Sequence, residues 1–377
     1  MAGHMEVLIE AMRGMEHFPE ANTLLQLLGQ EQTDGGQMPL RVLQGTVERA
    51  NQNNTLSQGL HRHGVLAHTL NYWPTYHGYS ADYRWPLAKE PKGPLLHDRL
   101  HQLAKALIPA YDIFHFHHFH SLTMDWTDYA LLKEAGKTVI MQHTGGDVRQ
   151  ASIARTISPY AVVTQDEYAI KRRLSAMAYH VDNCLVPDKE TELYVRDYYP
   201  RVSVIPAMLD LTRYRVGDES KPGERLLIVH APTANSTKGS RQIAAAIEVL
   251  QARYPIDYQV IENRTHEQTK AICRKADLII DQLCTGSYGL LSVEAMALGK
   301  PVICWISDYM TTHYPADLPI IYANPHTIRD VLEDLLRNRD SLPERGRSGR
   351  AYVEQHHDAA KNSLAVLSLY QKLRPAT

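Results

Sequence analysis

Cysteine is scarce in this chain: Cys184, Cys273, Cys284 and Cys304 are its four, and none stands in a Cys-x-x-Cys pair. That spacing suggests neither a zinc site nor a disulfide framework, and it fits free thiols in a reducing compartment. No run of about 18 apolar residues occurs, so no transmembrane helix is expected. Neither sign of charge dominates: 40 Lys and Arg face 42 Asp and Glu, a net charge of −2. A broad electrostatic grip on nucleic acid or on an anionic membrane is therefore not indicated. The basic cluster Lys171-Arg-Arg173 reads as a solvated helix face rather than as a membrane contact. Gly-x-Gly-x-x-Gly is absent, which weakens a nicotinamide-dinucleotide reading, and there is no Walker-type Lys-[Ser/Thr] loop.

What is present suits an ordinary globular chain. With 377 residues, 44% hydrophobic and 22% charged, it can form two domains of usual size. The twenty histidines are the one unusual count, and they leave the charge near pH 6 open. The opening Met1-Ala-Gly-His-Met5 reads as a cloning remnant, with Met5 as the natural start. No signal peptide follows, so a cytoplasmic protein is expected.

Residues 1–38 read as a helical extension, with one helix from Glu6 to about His17 and a second from Pro19 to Gly29. Their apolar faces need cover from the protein's own body, a second copy or a partner protein. Strands and helices then alternate. Strands are expected at Arg41–Gln44, Val65–Leu70, Asp112–Phe116, Thr138–Gln142, Tyr160–Thr164 and Ser203–Pro206, with helices around Asn53–His63, Leu96–Leu107 and Tyr129–Ala135. A polar stretch, Asp218–Gly223, marks a linker. Beyond it come strand Leu226–His230, helix Arg241–Arg253, strand Tyr258–Glu262, helix Glu267–Lys275, strands Leu278–Asp281 and Val302–Trp305, and three closing helices, Thr327–Arg337, Pro343–His356 and Ala359–Leu373. This alternation predicts an α/β protein of two doubly wound parallel sheets. The expected domains are 39–206 and 225–357, joined through 207–224, with 358–377 as a closing helix.

In open α/β sheets, ligands gather outside the carboxyl ends of the strands. Five polar or glycine-bearing loops fall on that edge: Gly45-Thr-Val-Glu48, His143-Thr-Gly-Gly-Asp-Val-Arg149, Ala231–Gly239, Asn263-Arg-Thr-His266 and Gln282–Gly289. Lys238-Gly239 precedes a helix, where backbone amides and an ammonium together attract phosphate; the alternative is an ordinary exposed lysine beside a cap. The Gly286-Ser-Tyr-Gly289 loop also leads into a helix, with amides that suit a phosphate or a sugar hydroxyl. Glu294 is the oddity. At helical spacing it shares a stripe with Leu290, Leu291, Ala297 and Leu298. A carboxylate there is costly unless it is paired or reaches water at the rim, and two ligand hydroxyls would pair it. In the first half, Gly145 and Gly146 let backbone approach a ligand, while Asp147 and Arg149 either bond hydroxyls or pair with one another. His115 and His117 share a strand face, but no fourth ligand completes a familiar zinc spacing, so no metal is expected there. The aromatic run Tyr72–Tyr79 reads either as a platform for a sugar or as a packed irregular segment.

The stretch Gly286-Ser-Tyr-Gly289…Glu294-Ala-Met-Ala-Leu-Gly-Lys-Pro-Val-Ile303 resembles the donor-binding signature of retaining, nucleotide-sugar-dependent glycosyltransferases of the GT-B fold, the family 4 group. The resemblance covers roughly residues 40–373 and is strongest over 226–305. It implies two Rossmann-like domains facing a cleft, with the last helix crossing back to the first domain. It also implies transfer of a sugar from a UDP- or GDP-sugar to a hydroxyl acceptor, with retention and without metal. Glu294 would hold the donor ribose. Lys238, Gly239 and the Gly286, Ser287, Tyr288, Gly289, Leu290 segment would meet the diphosphate. His143 and Asp147, with Gly145, Gly146 and Arg149, would position sugar and acceptor, and Thr46, Glu48, His115 and His117 are further acceptor-side candidates. The chain departs from the pattern at three positions. Thr144 stands where the group's His-Gly-x-Asp loop has its histidine, with His143 one residue earlier. Gly286 stands where the group has a first glutamate, and Thr233 stands where it has an arginine, a charge that Arg264 or Arg241 would have to supply. The absence of Asp-x-Asp argues against a metal-dependent design. Two alternatives stay open: a partner subunit that binds nucleotide sugar without turnover, and a GT-B-like epimerase or phosphorylase.

Overall fold

The computed structural model describes residues 39–216 and 224–374. The expected N-terminal helices and the polar linker after residue 216 lie outside the described residues. What is described divides into two compact units. Of the described residues, one unit holds 39–148, Lys171–Met208 and 359–374; the other holds Arg149–Ile170, 209–216 and 224–358. Residues 149–170 thus group with the second unit, whereas the sequence reading had put them in the first.

The first unit contains a seven-stranded sheet. Its strands are β1 (Arg41–Thr46), β2 (Leu66–Asn71), β3 (Tyr83–Arg84), β4 (Ile113–His117), β5 (Thr138–Gln142), β6 (Asn183–Val186) and β7 (Arg201–Val204). They run parallel in the order β3-β2-β1-β4-β5-β6-β7. Parallel strands are buried on both faces, which is why β1 and β4 are almost wholly inaccessible to solvent. On one face Val42, Ile113 and Ile140 pack under the helices Gln52–His61 and Ala359–Leu373 through Leu56, Leu60, Val366 and Tyr370. Each fully buried aliphatic side chain contributes about 1.5–3 kcal/mol. On the other face Phe116 meets Tyr129 of the helix Asp128–Glu134 edge-on.

The strand expected at Tyr160–Thr164 does not form. Val162 is 40% exposed and the segment has no ladder partner, so its β-branched residues are not held in a sheet. The sheet position is filled by β6, whose Cys184, Leu185 and Val186 are buried. It is preceded by the helix Glu167–His180, which bears the helix face expected at Lys171–Arg173 but whose bounds the sequence does not give.

The second unit contains a five-stranded parallel sheet: β8 (Leu226–His230), β9 (Ile256–Val260), β10 (Leu278–Ile280), β11 (Val302–Cys304) and β12 (Ile321–Tyr322), in the order β12-β11-β10-β8-β9. Side chains alternate across it. Val229, Ile279 and Val302 pack with Val293, Met296, Tyr352 and Val353 on one face. Ile228, Ile280 and Ile303 pack with Ile243, Ile247, Leu332 and Leu335 on the other. The helix after β8, Ser240–Gln251, therefore lies on one face, and the helix after β10, Leu290–Ala297, on the opposite one. Neighbouring strands whose helices depart to opposite faces leave a crevice at their carboxyl ends, the usual ligand position in such sheets. Both units are doubly wound parallel α/β sheets, as the alternation predicted. No helix among the described residues is long and apolar enough to cross a membrane, and the four cysteines are buried and free.

Candidate active site

The crevice between β8 and β10 is built around a carboxylate that the sequence reading did not single out. Asp281 directly follows β10 and is fully buried. Its Oδ1 accepts from Lys238 Nζ at 2.7 Å, while its Oδ2 accepts from the Gly289 amide at 2.9 Å and from Ser292 Oγ at 2.7 Å. Burial alone would raise its pKa; the Lys238 ammonium and these hydrogen bonds overcome that and hold the carboxyl below its ordinary range. The Lys238 ammonium is thereby carried to the amino end of the helix Leu290–Ala297 rather than left on the surface. A Cβ added to Gly289 would stand 3.0 Å from Asp281 Oδ2 and 3.3 Å from Lys238 Nζ. Glycine leaves these groups room to meet, whereas a side chain there would make them shift by a few tenths of an ångström.

Glu294 lies one turn further along the same helix and is partly buried. Its Oε1 meets His266 Nε2 at 2.5 Å and accepts from Tyr214 Oη at 2.9 Å. His266 opens the helix after β9, capped by Thr265 in a capping box with Gln268. The protein itself thus pairs one carboxylate oxygen. Among the described residues no hydrogen bond is made to Oε2.

The other candidates in this unit separate. Gly239 holds φ +75° between the turn Asn235–Lys238 and the helix Ser240–Gln251. Gly286 holds φ +92°, and an added Cβ would press on Ser307 and Ser158. The glutamate found here in the resembling family would need a backbone conformation that L side chains avoid, so the departure is built into the loop. The Ser287 carbonyl accepts from Gln282 Nε2, and Leu290 begins the helix. The ring of Tyr288 stacks on Tyr314, with its hydroxyl 2.9 Å from His357 Nε2, so it faces the core. Thr233, Arg264 and Arg241 are exposed.

In the first unit His143 and Asp147 are together. His143 Nδ1 meets Asp147 Oδ2 at 2.5 Å, its Nε2 meets Tyr199 Oη at 2.8 Å, and the Thr144 amide donates to Asp147 Oδ1. Burial would raise the Asp147 pKa, but His118, His143 and the Thr144 amide hold it far below the ordinary range. Burial also lowers His118 and His120 to about 4, so both are neutral at pH 7. Gly145 holds φ +95°, Gly146 is exposed, and Arg149 belongs to the second unit.

His115 and His117 are not at the loop edge. Both are buried in β4, stacked with centroids 4.8 Å apart, and His115 Nδ1 meets Tyr370 Oη at 2.7 Å. They belong to the core under the last helix because the strand continues to His117 and turns their common face inward. Thr46 is also spent internally, donating to the Ser121 carbonyl.

Glu48 is buried and accepts from the Asn53 and Asn54 amides at the start of the helix Gln52–His61. Burial outweighs these bonds and raises its pKa from 4.5 to about 7. Between those values the folded chain holds the proton that the unfolded chain has lost. The associated stability is full below pH 4.5 and disappears as the pH rises through about 7, with a size of roughly 3 kcal/mol. Glu48→Gln should flatten this slope in urea unfolding compared across that window. An unchanged slope would mean that Glu48 is not its source.

No protein-family model matches the chain. In sequence it is similar to the D-inositol 3-phosphate glycosyltransferase of Nocardia farcinica, 26% identical over 303 residues covering 67% of this chain and 65% of that protein. The chain thus spans slightly under two thirds of that relative's length. In fold it is similar to sucrose-phosphate synthase from Thermosynechococcus elongatus, with TM-score 0.63 and 14% identity over 89% of this chain and 99% of that one. It is also similar to a glycosyltransferase from Rickettsia africae ESF-5, with TM-score 0.60 and 12% identity over 90% of this chain and 100% of that one. A third is the Anabaena protein HepE in complex with UDP and glucose, with TM-score 0.59 and 10% identity over 89% of this chain and 100% of that one. The chain has the GT-B fold, and its sequence is similar to that of a glycosyltransferase.

Proposed function

We propose that the protein is a retaining glycosyltransferase that moves a sugar from a nucleotide diphosphate sugar to a hydroxyl acceptor. The observation that carries this reading is the Lys238 ammonium held by Asp281 at the amino end of the helix that also bears Glu294. A departing diphosphate needs such stabilisation as negative charge develops on it. Lys238 and the first-turn amides of Leu290 and Leu291 supply it, in place of a divalent ion. Glu294 Oε2 accepts from the ribose hydroxyls. The bond from the anomeric carbon to the phosphate oxygen breaks as the acceptor oxygen attacks from the same face, and the acceptor proton passes to the departing phosphate. The buried His143–Asp147 pair orders the loop after β5, where Gly145 and Gly146 offer backbone to a bound hydroxyl compound.

HepE was solved in complex with UDP-glucose, so UDP-sugars head the donor series; the activity of the Nocardia relative makes a cyclitol phosphate the first acceptor to try. The test is a thermal-shift titration with nucleoside diphosphates and their sugars, followed by assay of nucleotide release. One base series should raise the melting temperature by mass action, and nucleotide should appear only when acceptor is present. Release without acceptor, or only with inorganic phosphate, would replace transfer by epimerisation or phosphorolysis. Tight binding without any turnover would make the chain a binding subunit.

A further inference from the structure

The helix Pro94–Ala110 in the first unit carries His97 and His101 one turn apart, and the segment after β4 brings Asp125 against them. One ligand atom from each residue lies within 4.8 Å of the other two. Asp125 Oδ2 is 3.6 Å from His97 Nδ1 and 3.6 Å from His101 Nε2. That is too long for hydrogen bonds. It is close to the roughly 3.4 Å that separates two ligands of one tetrahedral ion with bonds of about 2.0–2.1 Å.

The carboxylate is also aimed. Its other oxygen, Oδ1, accepts from the Thr127 hydroxyl at 2.8 Å and from the Thr127 amide at 3.2 Å, which turns Oδ2 toward the imidazoles. An outer hydrogen bond that orients a ligating group is a regular part of metal sites. The Thr127 hydroxyl, 3.1 Å from His101 Nε2, has a single proton; with that proton on Asp125, Nε2 offers a lone pair to an ion in the tautomer that carries the ring proton on Nδ1. Between Asp125 and Thr127, Trp126 holds φ +65°, a conformation costly for a bulky residue. The turn that presents Asp125 is thus strained in a way that a bond to the carboxylate would offset.

We propose that His97, His101 and Asp125 form a binding site for a divalent transition-metal ion of the zinc class, separate from the transfer chemistry. Two imidazoles and one carboxylate suit such an ion, whereas magnesium and calcium prefer oxygen alone. His97 and Asp125 are exposed, so a water completes the fourth position. The ion ties the loop between β4 and the helix Asp128–Glu134 to the helix Pro94–Ala110. It is a staple for the loop that also carries His118 and His120.

The test is calorimetric titration of the full chain, stripped of metal, with Zn²⁺, using Mg²⁺ and Ca²⁺ as controls, together with the visible spectrum of the Co²⁺-loaded protein. One Zn²⁺ per chain should bind with micromolar affinity or better, and Co²⁺ should give a tetrahedral absorption band. His97→Ala and His101→Ala should each weaken binding at least tenfold, and Thr127→Val by about 10- to 100-fold through the orientation of Asp125. Zinc should raise the melting temperature of the wild type and not of the double alanine variant, whose melting temperature in chelator should equal the wild type's. Undiminished one-to-one binding in the double variant would assign the ion to other histidines and overturn the proposal, as would the absence of any zinc-dependent heat and cobalt band.

Discussion

Replacing Glu294 by alanine is expected to weaken donor binding by about 10- to 150-fold, the loss of one hydrogen bond to a charged group at roughly 1.5–3 kcal/mol. The carboxylate is already oriented before any ligand arrives, because His266 and Tyr214 hold Oε1 and fix the direction of Oε2. Pre-orientation removes the side-chain entropy that binding would otherwise cost. Glu294→Gln keeps the shape but not the charge and should fall between wild type and alanine. The melting temperature of the ligand-free alanine variant separates a lost contact from a damaged fold, since its loss also strips two partly buried partners of their acceptor. A donor affinity equal to that of the wild type, measured calorimetrically, would remove Glu294 from the site.

Lys238→Met is expected to cost about 3–5 kcal/mol of stability at neutral pH, because it leaves the fully buried Asp281 carboxylate without its cation. The double variant Lys238→Met, Asp281→Asn removes the uncompensated charge and should recover much of that stability. It should not recover donor binding or turnover, because the ammonium is gone. Urea unfolding and donor titration on the two variants thus read the structural and chemical roles separately. The pair also has a definite pH signature. Asp281 titrates below its ordinary value when folded, so the unfolded chain binds more protons in acid. The pair's contribution is present above the ordinary aspartate pKa of 3.8 and is lost as the pH falls through the depressed folded value. The stability gap between wild type and Lys238→Met should therefore narrow in acid. A double variant as unstable as the single one would show that the buried charge is not the cause.

The sequence and the structure part where contacts become long-range. Strands β5 and β8 and the helix Ala359–Leu373 have the bounds that the alternation of apolar residues predicted. The failed strand at Tyr160–Thr164 shows the limit of local propensity: β-branched residues make a strand only where a neighbour offers a ladder. The helix Glu167–His180, expected only as a helix face at Lys171–Arg173, left a fuller signal, since the buried Ile170, Leu174, Met177 and Val181 recur at helical spacing. Asp281 could also have been suspected, as a carboxylate at the very end of a buried strand. His115 and His117 show the opposite case, a paired-histidine pattern that the last helix turns into core packing.

The alternation of strands and helices, the parallel class of both sheets and the placing of Lys238 and Gly289 just before helices that follow strands, with Glu294 one turn into the second of these, were determined by the sequence itself. They follow from periodicity and glycine punctuation, which act over a few residues. Only the tertiary structure decided that Lys238 meets Asp281 across 43 residues, and that Tyr214 and His266, 80 and 28 residues away, hold Glu294. Such partners leave no local pattern. They are brought together by the opposite departures of the helices after β8 and β10, and by burial that makes an unpaired charge too costly to keep.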